Sequence, residues 1–172
     1  MKREFEMSGT GQNAVEVVDP WACDAIQPKR LAEVQEPPLE TPRTYGILVV
    51  DDEEVVRRVL SISLPQQGFA LWLAADGQEA LEVYQRHREA IDVVLLDVRM
   101  PRLDGPHTLA ALQRLNPQIR CCFMSGDPGA YSEAELHNLG AVVVFPKPFH
   151  LIEVAQVLRK VVSDIGCKPP SV

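Results

Sequence analysis

The 172-residue sequence lacks any stretch approaching the ~20 consecutive apolar residues that a membrane-spanning helix needs. Its opening, MKREFEMSGTGQNAVEVV, contains no apolar block of signal-peptide length. No membrane partner is expected, and the cytoplasm is the expected compartment. Basic residues are also scarce: Lys and Arg number 17 against 24 Asp and Glu, for a net charge of −7. Affinity for DNA or RNA rests on clustered cations, so a nucleic-acid partner is not expected either. None of the four cysteines, Cys23, Cys121, Cys122 and Cys167, belongs to a CxxC pair. Cys121 and Cys122 lie in an apolar run where small thiols pack well, and all four read as reduced thiols without a disulfide or metal role.

What is present divides the chain. Residues 1–44 hold Pro20, Pro28, Pro37, Pro38 and Pro42 among scattered charges, with no sustained periodicity. Such a segment buries too little surface to offset the entropy of ordering it, and is expected to be a flexible tail in which Trp21 is incidental. From Tyr45 onward, short apolar runs alternate with helical periodicity, and the 46% hydrophobic content suits one domain with a real core. The runs at 46–50, 70–75, 93–97, 119–125 and 141–145 are of strand length and rich in apolar or β-branched residues. Helix candidates follow each: Val56, Val59, Leu60 and Leu64; Ala80, Leu81 and Tyr84; Leu109, Leu112 and Leu115; a weaker one near 130–138; and Leu151, Val154, Leu158 and Val161. Five βα units predict a parallel sheet covered by helices on both faces, which explains strands that are apolar throughout.

Ligands of such sheets bind where loops leave the carboxyl ends of the strands. Those ends carry a set of polar residues: Asp51, Asp52 and Glu53 after ILVV, Asp97 after VVLL, Ser125 after CCFM and Lys147 after VVVFP. Taken singly, each has an ordinary reading as a helix cap, a turn residue or a solvated lysine. Gathered at one mouth, Asp51, Asp52 and Asp97 repel one another unless a cation sits between them, and hard oxygen ligands in an open site suit Mg²⁺. A phosphoryl group could then be held by the metal, the Lys147 ammonium and the Ser125 hydroxyl, leaving Asp97 as the best-placed nucleophile.

The segments ILVVDDEEVVRRVL, VVLLDVRMPRLDG, FMSGD and FPKPF, in this order across residues 46–164, resemble the receiver domains of response regulators in two-component signalling. The resemblance implies a flavodoxin-like, doubly wound five-stranded α/β sheet spanning residues 45–164, with a short tail at 165–172. It implies that Asp97 accepts a phosphoryl group from a histidine kinase or a histidine phosphotransfer protein. Asp51, Asp52, Asp97 and the main-chain carbonyl of Arg99 would hold Mg²⁺, and Ser125 and Lys147 would contact the phosphoryl group. A signalling phosphoacceptor with possible autodephosphorylation is implied, rather than an enzyme that turns over. In this family the peptide before the proline of the Lys-Pro pair, here Lys147-Pro148, is commonly cis.

Some residues depart from the pattern. The family often has an aromatic ring three residues before its lysine; Val144 stands there, and strand alternation places Phe145 on the opposite face. Pro65 is expected to kink or shorten the first helix. Few residues follow Val162, so the chain reads as a stand-alone receiver acting through a downstream protein target. An alternative is a pseudo-receiver that serves as a phosphorylation-independent scaffold. A haloacid-dehalogenase-type phosphatase is disfavoured because Arg99 stands where a second acid is needed. Arg99 and Asp127, each two residues beyond a site residue, are expected to flank the mouth, where an ion pair between them could shield the phosphoryl group from water.

Overall fold

The structure, a computed structural model, describes residues 44–126 and 131–163. Trp21, Cys23, Asp127, Cys167 and the two expected tails lie outside the described residues, apart from Thr44. Elements alternate strictly: β1 (Gly46–Val50), α1 (Glu54–Gln66), β2 (Ala70–Ala74), α2 (Gly77–His87), β3 (Val93–Asp97), α3 (Gly105–Leu115), β4 (Arg120–Ser125), α4 (Glu133–Asn138), β5 (Ala141–Pro146) and α5 (Leu151–Ser163). The strands form one parallel sheet in the order β2-β1-β3-β4-β5. The chain therefore winds one way from β1 to β2 and the other way from β3 onward. The carboxyl ends of β1 and β3, adjacent at this reversal, carry Asp51 and Asp97 to one place.

The two-residue period of a strand sorts the apolar runs into two cores. Leu48, Val50, Val94, Leu96, Cys121 and Phe123 pack with Ala80 and Tyr84 of α2, Leu109 and Leu112 of α3 and Leu136 of α4. Ile47, Val49, Val93, Leu95, Cys122, Met124 and Phe145 pack with Leu60 and Leu64 of α1 and with Val154, Leu158 and Val161 of α5. Each fully buried aliphatic side chain contributes about 1.5–3 kcal/mol relative to exposure. Cys121 and Cys122, neighbours in sequence, thus face opposite sides of the sheet as free thiols. Burial pushes the Cys122 thiol up to about 12 and Cys121 well above its ordinary value, so neither is a reactive thiolate.

Two expected core positions are exposed instead. Val59 is 42% exposed because Leu60 and Leu64 define the inward stripe of α1 and Val59 lies about one-quarter turn to its side. Leu115 is exposed because it is the last residue of α3, where the helix ends. Pro65 occupies the last turn of α1, which ends one residue later. There Phe69 N–H donates to the Leu64 carbonyl and Gly68 N–H to that of Pro65, with Gly68 at φ 85°. This is a Schellman closure in which the Pro65 carbonyl serves as acceptor, while the missing Pro65 N–H removes only the single bond to the Ser61 carbonyl in the last turn. Helices α2, α3 and α4 start on side-chain caps: Asp76 accepts from Glu79 N–H, Asp104 from His107 N–H, and Ser132 and Glu135 form a reciprocal capping box. Gly105 has no room for a side chain, since a Cβ there would meet the Asp97 carbonyl oxygen and the Phe123 ring. Absence of that Cβ lets α3 start directly against the strand that carries Asp97.

Candidate functional site

Asp51, the first residue after β1, is fully buried, and Asp97, the last of β3, is 5% exposed. Unpaired carboxylates do not persist at such depth. Their partner is Lys147, just beyond β5, whose Nζ lies 2.8 Å from Oδ2 of Asp51 and 2.7 Å from Oδ1 of Asp97. The remaining oxygens are also occupied: Asp51 Oδ1 accepts from Glu53 N–H at 2.9 Å and Asp97 Oδ2 from Arg99 N–H at 3.1 Å. Glu53 adds a longer ion pair with Lys147 at 3.6 Å. Lys147 is itself held by the backbone, because its N–H donates to the Ser125 carbonyl; its peptide with Pro148 is cis, as the resemblance implies.

One ammonium between two carboxylates leaves a net negative charge. Burial lifts Asp51 and Asp97 above the ordinary carboxylate range, and the bond to Lys147 offsets this only in part. Burial also works against the Lys147 ammonium, but its hydrogen bonds to both acids outweigh that and hold the amine above its ordinary value. Ser125 Oγ, at the end of β4, is buried without a hydrogen-bond partner. An orphaned buried hydroxyl is costly, and it marks a place where an acceptor is lacking.

The expected three-carboxylate cluster takes a different form. Asp51, Asp97, Ser125 and Lys147 gather at the carboxyl ends of β1, β3, β4 and β5, whereas Asp52 is exposed and lines a recess with Val98, Arg99, Met100, Pro101, Asp104 and Tyr131. Among the described residues no three His, Cys, Asp or Glu side chains converge as a metal-binding group. The cation that relieves the repulsion between Asp51 and Asp97 is the Lys147 ammonium, because β5 delivers it between them. The donor chemistry nonetheless fits Mg²⁺, which takes one or two carboxylates and leaves its other positions to water and phosphate oxygens.

Sequence reasoning missed Arg57. Its guanidinium donates to the carbonyls of Asp51 at 2.6 Å and Asp52 at 3.0 Å, pinning the β1–α1 loop. The signal was a basic residue in the first turn of the helix that follows an acidic pair. Also missed were the links between loops: Arg102, at φ 68°, pairs with the α2 cap Asp76, and Tyr131 O–H donates to the α3 cap Asp104 at 3.2 Å.

Comparison with known proteins gives this arrangement a family. Residues 47–159 match the response regulator receiver domain model. Sporulation initiation phosphotransferase F of Bacillus subtilis is 32% identical over 66% of the chain and 90% of that protein. Sensor kinase CckA of Brucella abortus is 37% identical over 68% of the chain, but the match spans only 12% of the kinase. Among solved structures, the CheX-CheY-BeF3-Mg²⁺ complex of Borrelia burgdorferi is similar with a TM-score of 0.63 and 28% identity, over 72% of this chain and 90% of that one. The chain belongs to the response regulator receiver domain family. It is a phosphoacceptor receiver of two-component signalling, on the flavodoxin-like fold expected from the sequence, and nothing in the comparisons favours the scaffold alternative. Receivers are signalling proteins rather than turnover enzymes. Among the described residues, no helix is long and apolar enough to cross a membrane.

Proposed function

We propose that Asp97 is the phosphoacceptor and that Asp51, Asp52, Ser125 and Lys147 serve it. The observation that carries this reading is the convergence of a buried strand-end carboxylate, an ammonium 2.7 Å away and a buried hydroxyl without a partner. A carboxylate oxygen of Asp97 attacks phosphorus, a P–O bond forms as the P–N bond of a phosphohistidine breaks, and the electron pair leaves on the imidazole, which takes up a proton. Lys147 favours the ionised, attacking form of Asp97 and then pairs with phosphoryl oxygens. Ser125 gains the acceptor it lacks. Asp51, Asp97, Asp52 and the Arg99 carbonyl would hold Mg²⁺, which supplies neutralisation of phosphoryl charge when bound.

The donor in this reading is a histidine kinase or histidine phosphotransfer protein, and the output is contact with a downstream protein in the cytoplasm. Autodephosphorylation would end the signal. Residues 45–164 constitute the receiver, flanked by the segments 1–44 and 165–172. Donor docking is supported by Val55, Val59 and Ile62, which form an exposed apolar stripe at i, i+4 and i+7 on the helix that starts beside Asp51. Acetyl phosphate with Mg²⁺ tests the centre of the proposal. Intact mass should rise by one phosphoryl group on the wild type and stay unchanged on Asp97→Ala; equal labelling of the two would overturn it.

A further inference from the structure

Among the described residues, Arg102 is the one residue other than glycine with a positive φ, at 68°. A long side chain in the left-handed region is strained, and such strain persists only where the surroundings hold it. Here they hold it from the start of α2. The Arg102 guanidinium pairs with Oδ2 of Asp76, while Oδ1 of the same carboxylate caps α2 by accepting from Glu79 N–H at 2.9 Å. The next residue, Leu103, lies so close to Gly77 that a Cβ on the glycine would meet its side chain. Two adjacent residues of the β3–α3 loop thus meet two adjacent residues at the start of α2. Asp76 is only 17% exposed and already fixed by its cap, so it loses little freedom on pairing with Arg102. Neither Asp76 nor Arg102 takes part in the proposed transfer chemistry. Their loop does: Arg99, three positions before Arg102, donates its N–H to Asp97 Oδ2 at 3.1 Å and contributes its carbonyl to the proposed Mg²⁺ ligands.

We propose that Arg102 is a positioning residue for Mg²⁺, and that its bond to Asp76 holds the β3–α3 loop in the conformation that metal binding requires. The inference rests on the reading of Asp51, Asp52, Asp97 and the Arg99 carbonyl as the metal site. Without Asp76, nothing offsets the strain at Arg102, and the backbone relaxes out of the left-handed region. The carbonyl three positions earlier moves with the chain. Mg²⁺ then binds only the fraction of molecules whose loop is in place, and its apparent affinity falls by that fraction. The strength of an exposed ion pair sets the scale, at up to about fivefold. Charge alone predicts the opposite sign, because removing a cation from the neighbourhood of a divalent metal favours the metal.

The test measures Mg²⁺ affinity of the full, unphosphorylated chain by titration calorimetry, with acetyl phosphate labelling followed separately by intact mass. Arg102→Ala keeps the strained backbone and deletes the ion pair, and should weaken Mg²⁺ binding about fivefold. Arg102→Gly deletes the same charge but adopts a positive φ without cost, and should recover most of that loss. Asp76→Ser keeps a capping oxygen for α2 and should weaken binding as Arg102→Ala does, with the double variant Asp76→Ser/Arg102→Ala no weaker than either alone. Hydrogen exchange of residues 98–105 without metal should quicken in Arg102→Ala and Asp76→Ser. Every variant should still gain one phosphoryl group at saturating Mg²⁺. Unchanged or tighter Mg²⁺ binding in Arg102→Ala overturns the inference, as do equal affinities of Arg102→Ala and Arg102→Gly or multiplicative losses in the double variant. A wild type that binds no Mg²⁺ overturns the metal site and this inference with it. A wild type that binds Mg²⁺ yet takes no phosphoryl group overturns the phosphoacceptor reading alone.

Discussion

Lys147 and Asp97 stand at the ends of two strands that are not neighbours in the sheet, yet the ammonium lies 2.7 Å from the carboxylate, reaching across the end of β4. The same ammonium also neutralises the fully buried Asp51. Lys147→Ala therefore leaves two buried carboxylates without a counter-charge, and should cost about 3 kcal/mol at neutral pH, in addition to abolishing labelling by acetyl phosphate. Burial raises both acids, so the folded state binds their protons more readily than the unfolded chain does. The penalty is thus full above their folded-state values and fades as pH falls through them toward the ordinary carboxylate range. Urea titrations of wild type and variant between pH 8 and pH 4 would show the gap closing; a gap independent of pH would count against the charge argument.

Asp52 is the exposed member of the acidic pair, and its side chain does not join Asp51 and Asp97. Asp52→Ala should change stability without Mg²⁺ by no more than about 0.5 kcal/mol. If the proposed ligand set is right, the rise in melting temperature on adding Mg²⁺ should shrink in the variant. An undiminished rise would remove Asp52 from the set.

Asp104 caps α3 and also binds the His107 ring and the Tyr131 hydroxyl. Burial would raise its carboxyl, but the bonds from His107, the charge of that ring and the bond from Tyr131 outweigh it and hold the group below the ordinary carboxylate value. Asp104→Ala should cost about 1 kcal/mol at pH 7. A depressed acid stabilises fully above its unfolded-state value and loses this as pH falls through its folded-state value, so the difference between wild type and variant should narrow below about pH 4. Chemical denaturation across that range checks both the size and the direction.

Val59 lies in the middle of the exposed stripe on α1. Val59→Asp should leave stability within about 0.5 kcal/mol and labelling by acetyl phosphate unchanged, because the side chain is 42% exposed and lies outside the acidic site. Phosphotransfer from a histidine donor should slow about tenfold, equivalent to about 1.4 kcal/mol of lost contact. Equal slowing with the small-molecule donor would place the defect in the site rather than at a docking face.

Much of the fold was legible in the sequence because its signals are local. Unbroken apolar runs such as ILVV and VVLL give away strands buried on both faces, and recurrences such as Leu60–Leu64 and Leu109–Leu112 give away the helix stripes between them. Val59 and Leu115 misled because a helix stripe has edges and ends, and apolar residues at those places remain near water. The face of Phe145 followed from alternation alone. Asp97, Ser125 and Lys147 were identifiable because each ends an apolar run, and in a parallel sheet those ends lie on one edge.

By itself the sequence determined the strand and helix alternation, the edge of the sheet where the polar residues meet and the identity of those residues, since each follows from periodicity and from the single direction of parallel strands. Tertiary structure alone decided which cation neutralises which acid. The carboxylates of Asp51 and Asp97 come from the start of the domain and its middle, and the ammonium from near its end, so their distances depend on strand order and side-chain reach rather than on spacing along the chain. For the same reason only the fold could show Arg57 bound to the β1–α1 carbonyls, Asp52 turned outward and Tyr131 tied to Asp104. Hydrogen bonds select among rotamers and loop paths that a pattern of residue types leaves equally open.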